Sequence, residues 1–275
     1  MNSDLTENST LNTQNDSLLP EMVSVWQETL SWQPNVEQQQ LFQRLHELIL
    51  LGNQQLNLTR ITGPIEFWEK HLWDSLRGIA PFLGNSALTT QHSALSTDSA
   101  LTQHSALSTQ HSALNCIDIG TGAGFPGLPV AIAQPNWHIT LLDSTRKKIA
   151  FLETLLIELG IKNTTTLTGR SEEVGKQRQH REYYDIALIR AVGSASICAE
   201  YALPLLKVGG LAILYRGNWT AEENSSLQPT LEWLGGTIES TEQFTTPLSK
   251  SVRHCLYLRK IESSNKIKNV KLKIK

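Results

Sequence analysis

The sequence predicts an α/β protein, with a doubly wound, mostly parallel sheet and an N-terminal helical cap. Three observations lead to this fold class. From Asn115 onward, short apolar strands alternate with helical segments, and such alternation favours parallel pairing. A glycine-rich turn follows the first strand directly, at the edge where such sheets bind ligands. Before the sheet, residues 21–85 carry apolar side chains at helical spacing and form the predicted cap.

Two apolar stripes define the cap. The first steps by 4, 3 and 3 residues, through Leu41, Leu45, Leu48 and Leu51. Gly52 follows directly and is expected to end that helix. The second stripe steps by three or four residues, through Ile65, Trp68, Leu72, Leu76, Ile79 and Leu83. It predicts one long amphipathic helix that starts at Pro64 and ends at Gly84.

Seven strands are predicted in the domain that follows, over residues 115–260. The first five lie in the segments NCIDIG, HITLLD, NTTTLTG, YYDIALIRA and GGLAILYRG. Helical segments between them read LPVAIAQ, STRKKIAFLETLLIELG and SASICAEYALPLL, so these strands are expected to be parallel. The last two strands, ESTEQF and SVRHCLYLRK, are expected to be antiparallel.

Three further segments have an unusual composition. Residues 1–20 are rich in Asn, Ser and Thr and are predicted to be disordered. Residues 86–114 form an imperfect seven-residue repeat, which we interpret as a low-complexity insertion in a surface loop. The spacing of its histidines matches no zinc site. Residues 261–275 form a basic tail. Two interpretations of this tail are possible, a solvated chain end and an electrostatic contact to phosphate.

The composition excludes several classes of protein. The chain has 275 residues, a net charge of −2 and three widely spaced cysteines, which exclude a disulfide framework and a Cys-x-x-Cys site. The first 30 residues contain no Lys or Arg, so a targeting peptide is not expected. No apolar run approaches the roughly 18–20 residues that span a bilayer. We therefore expect a soluble, monomeric, cytoplasmic protein with no membrane partner and no metal.

The glycine turn, DIGTGAGFPG, is the most informative segment. Gly120 and Gly122 allow a sharp turn and the close approach of a ligand. A dinucleotide would place its pyrophosphate over the helix start, whereas S-adenosylmethionine needs acceptors such as Asp118 for its ammonium group. Pro126 stiffens the helix start, which is unusual for a phosphate site. Asp143 ends the second strand and suits the ribose hydroxyls of either ligand.

The turn and its surroundings resemble one family of enzymes. DIGTGAGFPGLP followed by TLLDSTRKKIAFLE resembles the class I S-adenosylmethionine-dependent methyltransferases. NLTRI, HLWDSL, GRSEEV, YDIALIRAV and LPLLKVGGLAILYRG resemble segments of a narrower bacterial family. That family, of the glucose-inhibited division protein B type, methylates N7 of a guanine in small-subunit (16S) ribosomal RNA. The resemblance covers residues 22–260 apart from the repeats.

The resemblance also implies where the cofactor binds. Contacts would come from the glycine turn and from the ends of the second, third and fourth strands. Asp118 and Gly122 of the turn are added to these contacts. The full predicted set is Asp118, Gly120, Gly122, Phe125, Asp143, Ser144, Thr145, Ser171, Glu172 and Arg190. Two alternatives stay open here. Arg190 could form an ion pair with Asp185 or with a helix acid, and Ser171 could cap a helix.

Methylation of guanine N7 makes modest chemical demands. N7 carries an in-plane lone pair and no proton, so orientation and desolvation matter more than a general base. The candidate catalytic residues, suited to the polar edges of guanine, are His71, Asp74 and Arg190. Asn57 and Arg60 lie in the loop before their helix. Trp68 and Trp73 could stack on a flipped base, although Trp68 belongs to the apolar stripe and is interpreted as core.

Two further sets of residues complete the prediction. Cys116 and Cys198 lie in a strand and an apolar helix and are interpreted as core, so no cysteine nucleophile is expected. Basic side chains that could follow an RNA backbone are Arg146, Lys147, Lys148, Arg170, Arg216 and Arg253.

The sequence thus predicts an S-adenosylmethionine-dependent methyltransferase that acts on N7 of a guanine in 16S ribosomal RNA. Its partner would be that RNA or the small ribosomal subunit. The RNA substrate and N7 follow from the resemblance, whereas the residues alone indicate a domain for a nucleoside cofactor. The alternatives are a methyltransferase for a small molecule or protein, a NAD(P)-dependent oxidoreductase, and a binding module without activity.

Overall fold

The computed structural model describes residues 18–83 and 113–263. The predicted disordered N-terminus, the repeats with their histidines and the basic tail lie almost wholly outside these ranges, as does Gly84. The domain boundaries predicted near residues 85 and 115 flank the undescribed segment and stay predictions. No helix within the described ranges is long and apolar enough to cross a membrane.

Two helices begin the described chain, α1 over Val23–Leu30 and α2 over Val36–Leu56. Asn35 caps α2: its side chain accepts from Gln38 N–H at 2.8 Å, and the Gln38 side chain accepts from Asn35 N–H at 3.0 Å. The prediction that Gly52 ends this helix is wrong. A Cβ at Gly52 would lie 2.2 Å from Phe151 Cε2, so glycine at this position allows close packing against a later helix.

The second apolar stripe forms a helical run that is not a single α-helix. It consists of α3 (Pro64–Phe67), a π-helical segment (Trp68–Trp73), α4 (Asp74–Arg77) and, after a turn, α5 (Ala80–Leu83). The predicted long α-helix is therefore corrected, because wider π turns interrupt its hydrogen-bond pattern. The predicted burial of the stripe is confirmed at Trp68, Leu72 and Leu76.

All seven predicted strands are present in the described chain. They are β1 (Asn115–Ile119), β2 (His138–Asp143), β3 (Thr164–Thr168), β4 (Tyr184–Arg190), β5 (Leu206–Arg216), β6 (Gly236–Thr245) and β7 (Val252–Lys260). Their order in the sheet is β3-β2-β1-β4-β5-β7-β6. The first five are parallel, and β7 runs antiparallel between β5 and β6. The order reverses between β1 and β4, where such sheets bind ligands.

Helices cover both faces of the sheet, which confirms the doubly wound α/β fold. They are α6 (Gly127–Ala133), α7 (Arg146–Leu159), α8 (Ser171–Val174), α9 (Ala195–Ala202) and α10 (Ala221–Leu234). On one face, Trp26 and Phe42 of the cap share a core with Ile186 of β4. On the other face, Cys198 of α9 and Leu227 of α10 belong to a second core.

Helix α10 is missing from the sequence prediction. Its buried residues Leu227, Leu231 and Leu234 step by 4 and 3 positions, but Pro229 and polar neighbours hide the stripe. The clearer signal is the capping box at its start, where Thr220 and the residue three positions later exchange hydrogen bonds.

Two tyrosines of the sheet hold the cap in place. Tyr215 of β5 donates a hydrogen bond to the Ser75 carbonyl at 2.7 Å, and Tyr257 of β7 donates to the Gly78 carbonyl at 3.0 Å. A Cβ at Gly78 would lie 2.3 Å from Tyr215 Cζ. The helical run therefore lies this close to the sheet because residue 78 has no side chain.

Gly78→Ala should destabilise the protein by about 1–3 kcal/mol, because its methyl group overlaps the buried ring of Tyr215. Gly63→Ala is the matched control. A Cβ at Gly63 has no atom within 4 Å, and its φ of −67° suits alanine. We expect that control to stay within about 0.5 kcal/mol of the natural chain. Urea unfolding measures both variants, and equal stability of the two would contradict this account of the junction.

Candidate active site

The glycine turn between β1 and α6 has a backbone conformation that residues with a side chain rarely adopt. Gly120 and Gly124 have φ values of 71° and 98°. A Cβ at Gly124 would lie 2.2 Å from Leu128 Cδ1, so α6 begins directly against the turn. At Gly122, by contrast, a Cβ would meet no atom closer than 3.9 Å. Space for a ligand therefore lies beside Gly122.

Asp118 braces the turn from within. Its carboxylate is fully buried, and Oδ2 accepts from Thr121 Oγ1 at 2.6 Å and from Gly127 N–H at 2.8 Å. Burial raises the pKa of Asp118 to about 6, although these two hydrogen bonds favour the ionised form. Oδ1 has no hydrogen-bond partner in the described part of the chain. Asp118 thus fixes the turn with one oxygen and keeps the other as an acceptor.

Asp143 joins the ends of the first two strands. Its Oδ2 accepts from Gly122 N–H at 3.0 Å, and its Oδ1 accepts from Thr145 N–H at 2.8 Å. The amides of Gly120 and Thr121 donate to the carbonyl of the preceding residue of β2, Leu142. The structure therefore places Asp143 directly beside the glycine turn.

Three other predicted cofactor residues lie on the surface after β2 and β3. Ser144 and Thr145 are exposed, and Thr145 precedes α7 without making a side-chain cap. Glu172 is exposed in α8, and its Oε1 accepts from the Tyr201 hydroxyl at 3.4 Å. All three are therefore accessible at the edge that holds Asp143.

Ser171 is buried beside this edge. Its hydroxyl donates to the Tyr201 carbonyl at 3.1 Å. The alternative in which Ser171 caps the helix is wrong, because Arg170 occupies the N-cap position of α8. The serine instead ties the start of α8 to α9.

The π-segment places His71 flat against the glycine turn. The rings of His71 and Phe125 are stacked, with centroids 4.3 Å apart and 8° between their planes. Thr59 Oγ1 lies 2.9 Å from His71 Nε2 and also accepts from Ile61 N–H. Burial, together with the positive charge of Arg190, lowers the pKa of His71 to about 3. The ring is therefore neutral near pH 7.

Asp74 and Arg190 form an ion pair between the cap and the sheet. Arg190 Nη1 lies 2.8 Å from Asp74 Oδ2, and it also donates to the Lys70 carbonyl at 3.0 Å. The alternative pairing of Arg190 with Asp185 is wrong, since Asp185 pairs with Lys207 at 2.8 Å. A helix acid, the other alternative, is the partner of Arg190.

A cleft of about 640 Å³ opens beside the turn. Its lining includes His71 and Asp74 from the helical run, Arg190 from β4, and residues after β5 and around the β6–β7 turn. His71 stacks on Phe125, and the guanidinium carbon of Arg190 lies 6.0 Å from the same ring. His71 and Arg190 therefore line the cleft and also lie beside Phe125 of the glycine turn.

Other predicted substrate residues lie outside this cleft. Asn57 ends α2 and Arg60 is exposed, and neither lines the cleft. Trp68 and Trp73 are each 1% exposed, which confirms the core interpretation of Trp68 and leaves neither ring free to stack on a base. Trp73 Nε1 donates to Thr29 Oγ1 at 2.8 Å, within the cap.

The basic residues divide into two groups. Arg216 and Arg253 line the cleft. Those on α7 and before α8 do not belong to its lining, and they are Arg146, Lys147, Lys148 and Arg170.

Cys116 and Cys198 are buried, as interpreted. Within the residues that the structure describes, no three His, Cys, Asp or Glu side chains are arranged to hold a metal ion.

Thr59 and Glu69 belong to the site but were not predicted from the sequence. Thr59 lies between two predicted loop residues and bonds His71 instead of substrate. Glu69 is buried, and its Oε1 accepts from the N–H groups of Leu248 at 2.6 Å and Ser249 at 2.9 Å. It thereby fixes the β6–β7 turn against the π-segment. The only sequence signal for Glu69 is that an acidic residue lies among the apolar residues of the second stripe.

His71→Phe should keep the ring stack on Phe125 and remove the titrating group. The folded chain holds the pKa of His71 near 3, below the value of about 6.5 expected after unfolding. Stability is therefore complete above about pH 6.5 and falls as the pH drops towards 3. Between pH 7 and pH 4.5 the natural chain should lose about 2–3 kcal/mol more than the variant in urea unfolding. Equal losses would contradict a buried neutral imidazole.

The chain matches the family model for rRNA small subunit methyltransferase G over residues 38–89 and 97–253. It is 59% identical to Ribosomal RNA small subunit methyltransferase G of Nostoc punctiforme, over 90% of this chain and 93% of that protein. The protein of the same name from Trichormus variabilis is 60% identical, over 89% and 91%. That from Microcystis aeruginosa is 54% identical, over 88% and 99%. The chain therefore belongs to the rRNA small subunit methyltransferase G family.

Proposed function

We propose that this chain transfers a methyl group from S-adenosylmethionine to N7 of a guanine in 16S ribosomal RNA. The observation that carries this proposal is the position of His71 and Arg190, which line the charged cleft and lie beside Phe125 of the glycine turn. A cofactor on the turn and a base in the cleft would meet there. Membership in the rRNA small subunit methyltransferase G family, and the names of its relatives, supply the RNA substrate.

The residues at the turn fit S-adenosylmethionine. Gly122 leaves space beside the turn, and Asp143 is held there by two backbone amides, ready to accept from ribose hydroxyls. Glu172 is exposed at the same edge and offers an acceptor to the adenine amino group. Asp118 Oδ1 is a buried acceptor without a partner among the described residues, which suits a cationic group near the turn. When bound, S-adenosylmethionine supplies a methyl group on a positively charged sulfur.

The chain needs no general base for this reaction. Guanine N7 has a lone pair and carries no proton, so the protein must orient the base and keep water away. His71 is neutral and its Nε2 already faces Thr59, so we assign it the role of holding Phe125. Asp74 holds Arg190 by the 2.8 Å ion pair. Both are positioning residues in this proposal.

Arg190 is the residue proposed to contact the base. Nη1 makes the hydrogen bonds to Asp74 and to the Lys70 carbonyl, which fix the plane of the guanidinium. Its remaining N–H groups can donate to guanine O6, the acceptor next to N7.

Labelled methyl transfer tests the proposed reaction. With unmodified 16S RNA or small ribosomal subunits as substrate, label should be recovered as N7-methylguanosine. RNA that already carries the modification is the control and should accept no label. Absence of label from both substrates, with S-adenosylmethionine still bound, would contradict the proposal and favour a small-molecule or protein substrate.

Arg190→Ala should lower kcat/KM for RNA about 100-fold, because the base loses an orienting contact. Asp74→Asn keeps an acceptor for Arg190 and should lower kcat about 10-fold with little change in KM. Arg44→Ala is the control, since Arg44 forms an exposed ion pair with Glu47 outside the cleft. A larger effect of Asp74→Asn than of Arg190→Ala would mean that Asp74 acts on the substrate directly.

We propose further that the chain works as a monomer in the cytoplasm, where ribosomal subunits are assembled. The cap supplies one wall of the cleft and the sheet supplies the other, so a single copy contains both walls. The predicted division into a helical cap over residues 21–85 and a cofactor domain over 115–260 fits this arrangement.

A further inference from the structure

We infer that Arg253, which lines the cleft, binds a phosphate of the RNA chain there. This inference rests on the proposed function and adds a named contact to it. It starts from the charges that line the cleft, which are four basic and three acidic side chains: Lys70, Arg190, Arg216, Arg253, Glu69, Asp74 and Glu223.

Three of the four basic groups already have acidic partners. Arg190 pairs with Asp74 at 2.8 Å. Arg216 pairs with Glu223 at 2.7 Å and also donates to a backbone carbonyl. Lys70 pairs with an acid one turn earlier in its helix at 2.6 Å. These cations are neutralised within the protein.

The acid Glu69 does not neutralise the fourth basic group. Its oxygens accept from the backbone N–H groups of Leu248 and Ser249 in the β6–β7 turn. The carboxylate is therefore used to hold that turn, and the positive charge of Arg253 stays uncompensated within the described residues.

The Arg253 side chain makes no hydrogen bond or ion pair within the part of the chain that the structure describes. Its Nε is buried from solvent and has no partner there. A buried donor left unsatisfied costs on the order of 1–3 kcal/mol, and more for a charged group. Native structures rarely keep such a group unless a water, an ion or a ligand completes it. The cleft is the place from which that partner would come.

The surroundings of Arg253 suit a phosphate. The guanidinium lies over the loop after β5, since a Cβ at Gly217 would lie 3.4 Å from Nη1. Asn218 and Ser249 also line the cleft, and their side chains carry neutral hydrogen-bond donors. Guanidinium binds phosphate oxygens in pairs, and RNA presents one phosphate per nucleotide. Because Glu69 fixes the turn before β7, the site is formed before RNA arrives.

Arg253→Gln and Arg253→Lys test this inference in the full chain. RNA affinity is measured against KCl concentration with an unmodified 16S RNA fragment, and S-adenosylmethionine affinity is measured by calorimetry. Arg259→Gln is the matched control: Arg259 lies on the same strand and is paired with Glu239 and the Gly209 carbonyl, outside the cleft. Thermal unfolding of each variant checks that the fold is intact.

We expect Arg253→Gln to weaken RNA binding about 10-fold and to reduce the salt slope by about 0.7, the value for one single-strand phosphate contact. Arg253→Lys should keep the slope and lose only part of the affinity. Cofactor affinity should not change, and Arg259→Gln should match the natural chain in RNA binding.

Three results would overturn the inference. An unchanged slope and affinity in Arg253→Gln, with the natural chain still methylating RNA, would remove Arg253 from the RNA site and leave the proposed function standing. Loss of cofactor affinity instead of RNA affinity would assign Arg253 to the cofactor carboxylate. A natural chain that neither binds nor methylates RNA would remove the proposed function and this inference together.

Discussion

The rest of the site depends on the contact between the π-segment and the glycine turn. His71 lies flat on Phe125, and Asp74, three residues later, holds Arg190 at the end of β4. One short helical segment thus fixes both the aromatic ring of the turn and the cation beside it. The imidazole is buried and neutral, which suits this position, because a positively charged ring would be repelled by the nearby Arg190. Without this contact, Phe125 and Arg190 would lose their partners on the cap, and the cleft would lose His71 and Asp74 from its lining.

The π-segment and the first residue of α4 together contact several parts of the sheet. Glu69 bonds the β6–β7 turn, His71 stacks on the turn after β1, and Asp74 reaches the end of β4. All three side chains line the cleft, and each contacts a different element. The cleft is formed where these three elements converge around the cap.

Much of this structure could be predicted from the sequence, because strands buried on both faces are continuous apolar runs and glycines mark the turns. All seven strands could be located, although β3 and β6 are not apolar runs, whereas the order of the strands in the sheet was not predicted. The partner of Arg190 could not be read in the same way, although one alternative could have been excluded. Asp185 and Arg190 lie on one strand at odd spacing, so they point to opposite faces.

Two helical features could not be predicted either. Helix α10 was hidden by Pro229, and the π-segment has the same apolar periodicity as an α-helix. The contacts of Glu69 and Arg253 are tertiary, and no local pattern encodes them.

The contacts that join the cap to the sheet are long-range in sequence. Asp74 and Arg190 are 116 residues apart, and Tyr257 and Gly78 are 179 apart. Contacts between such distant residues slow folding, because a long stretch of chain must close on itself before the contacts can stabilise the fold. We therefore expect the junction of cap and sheet, and the cleft within it, to form late in folding.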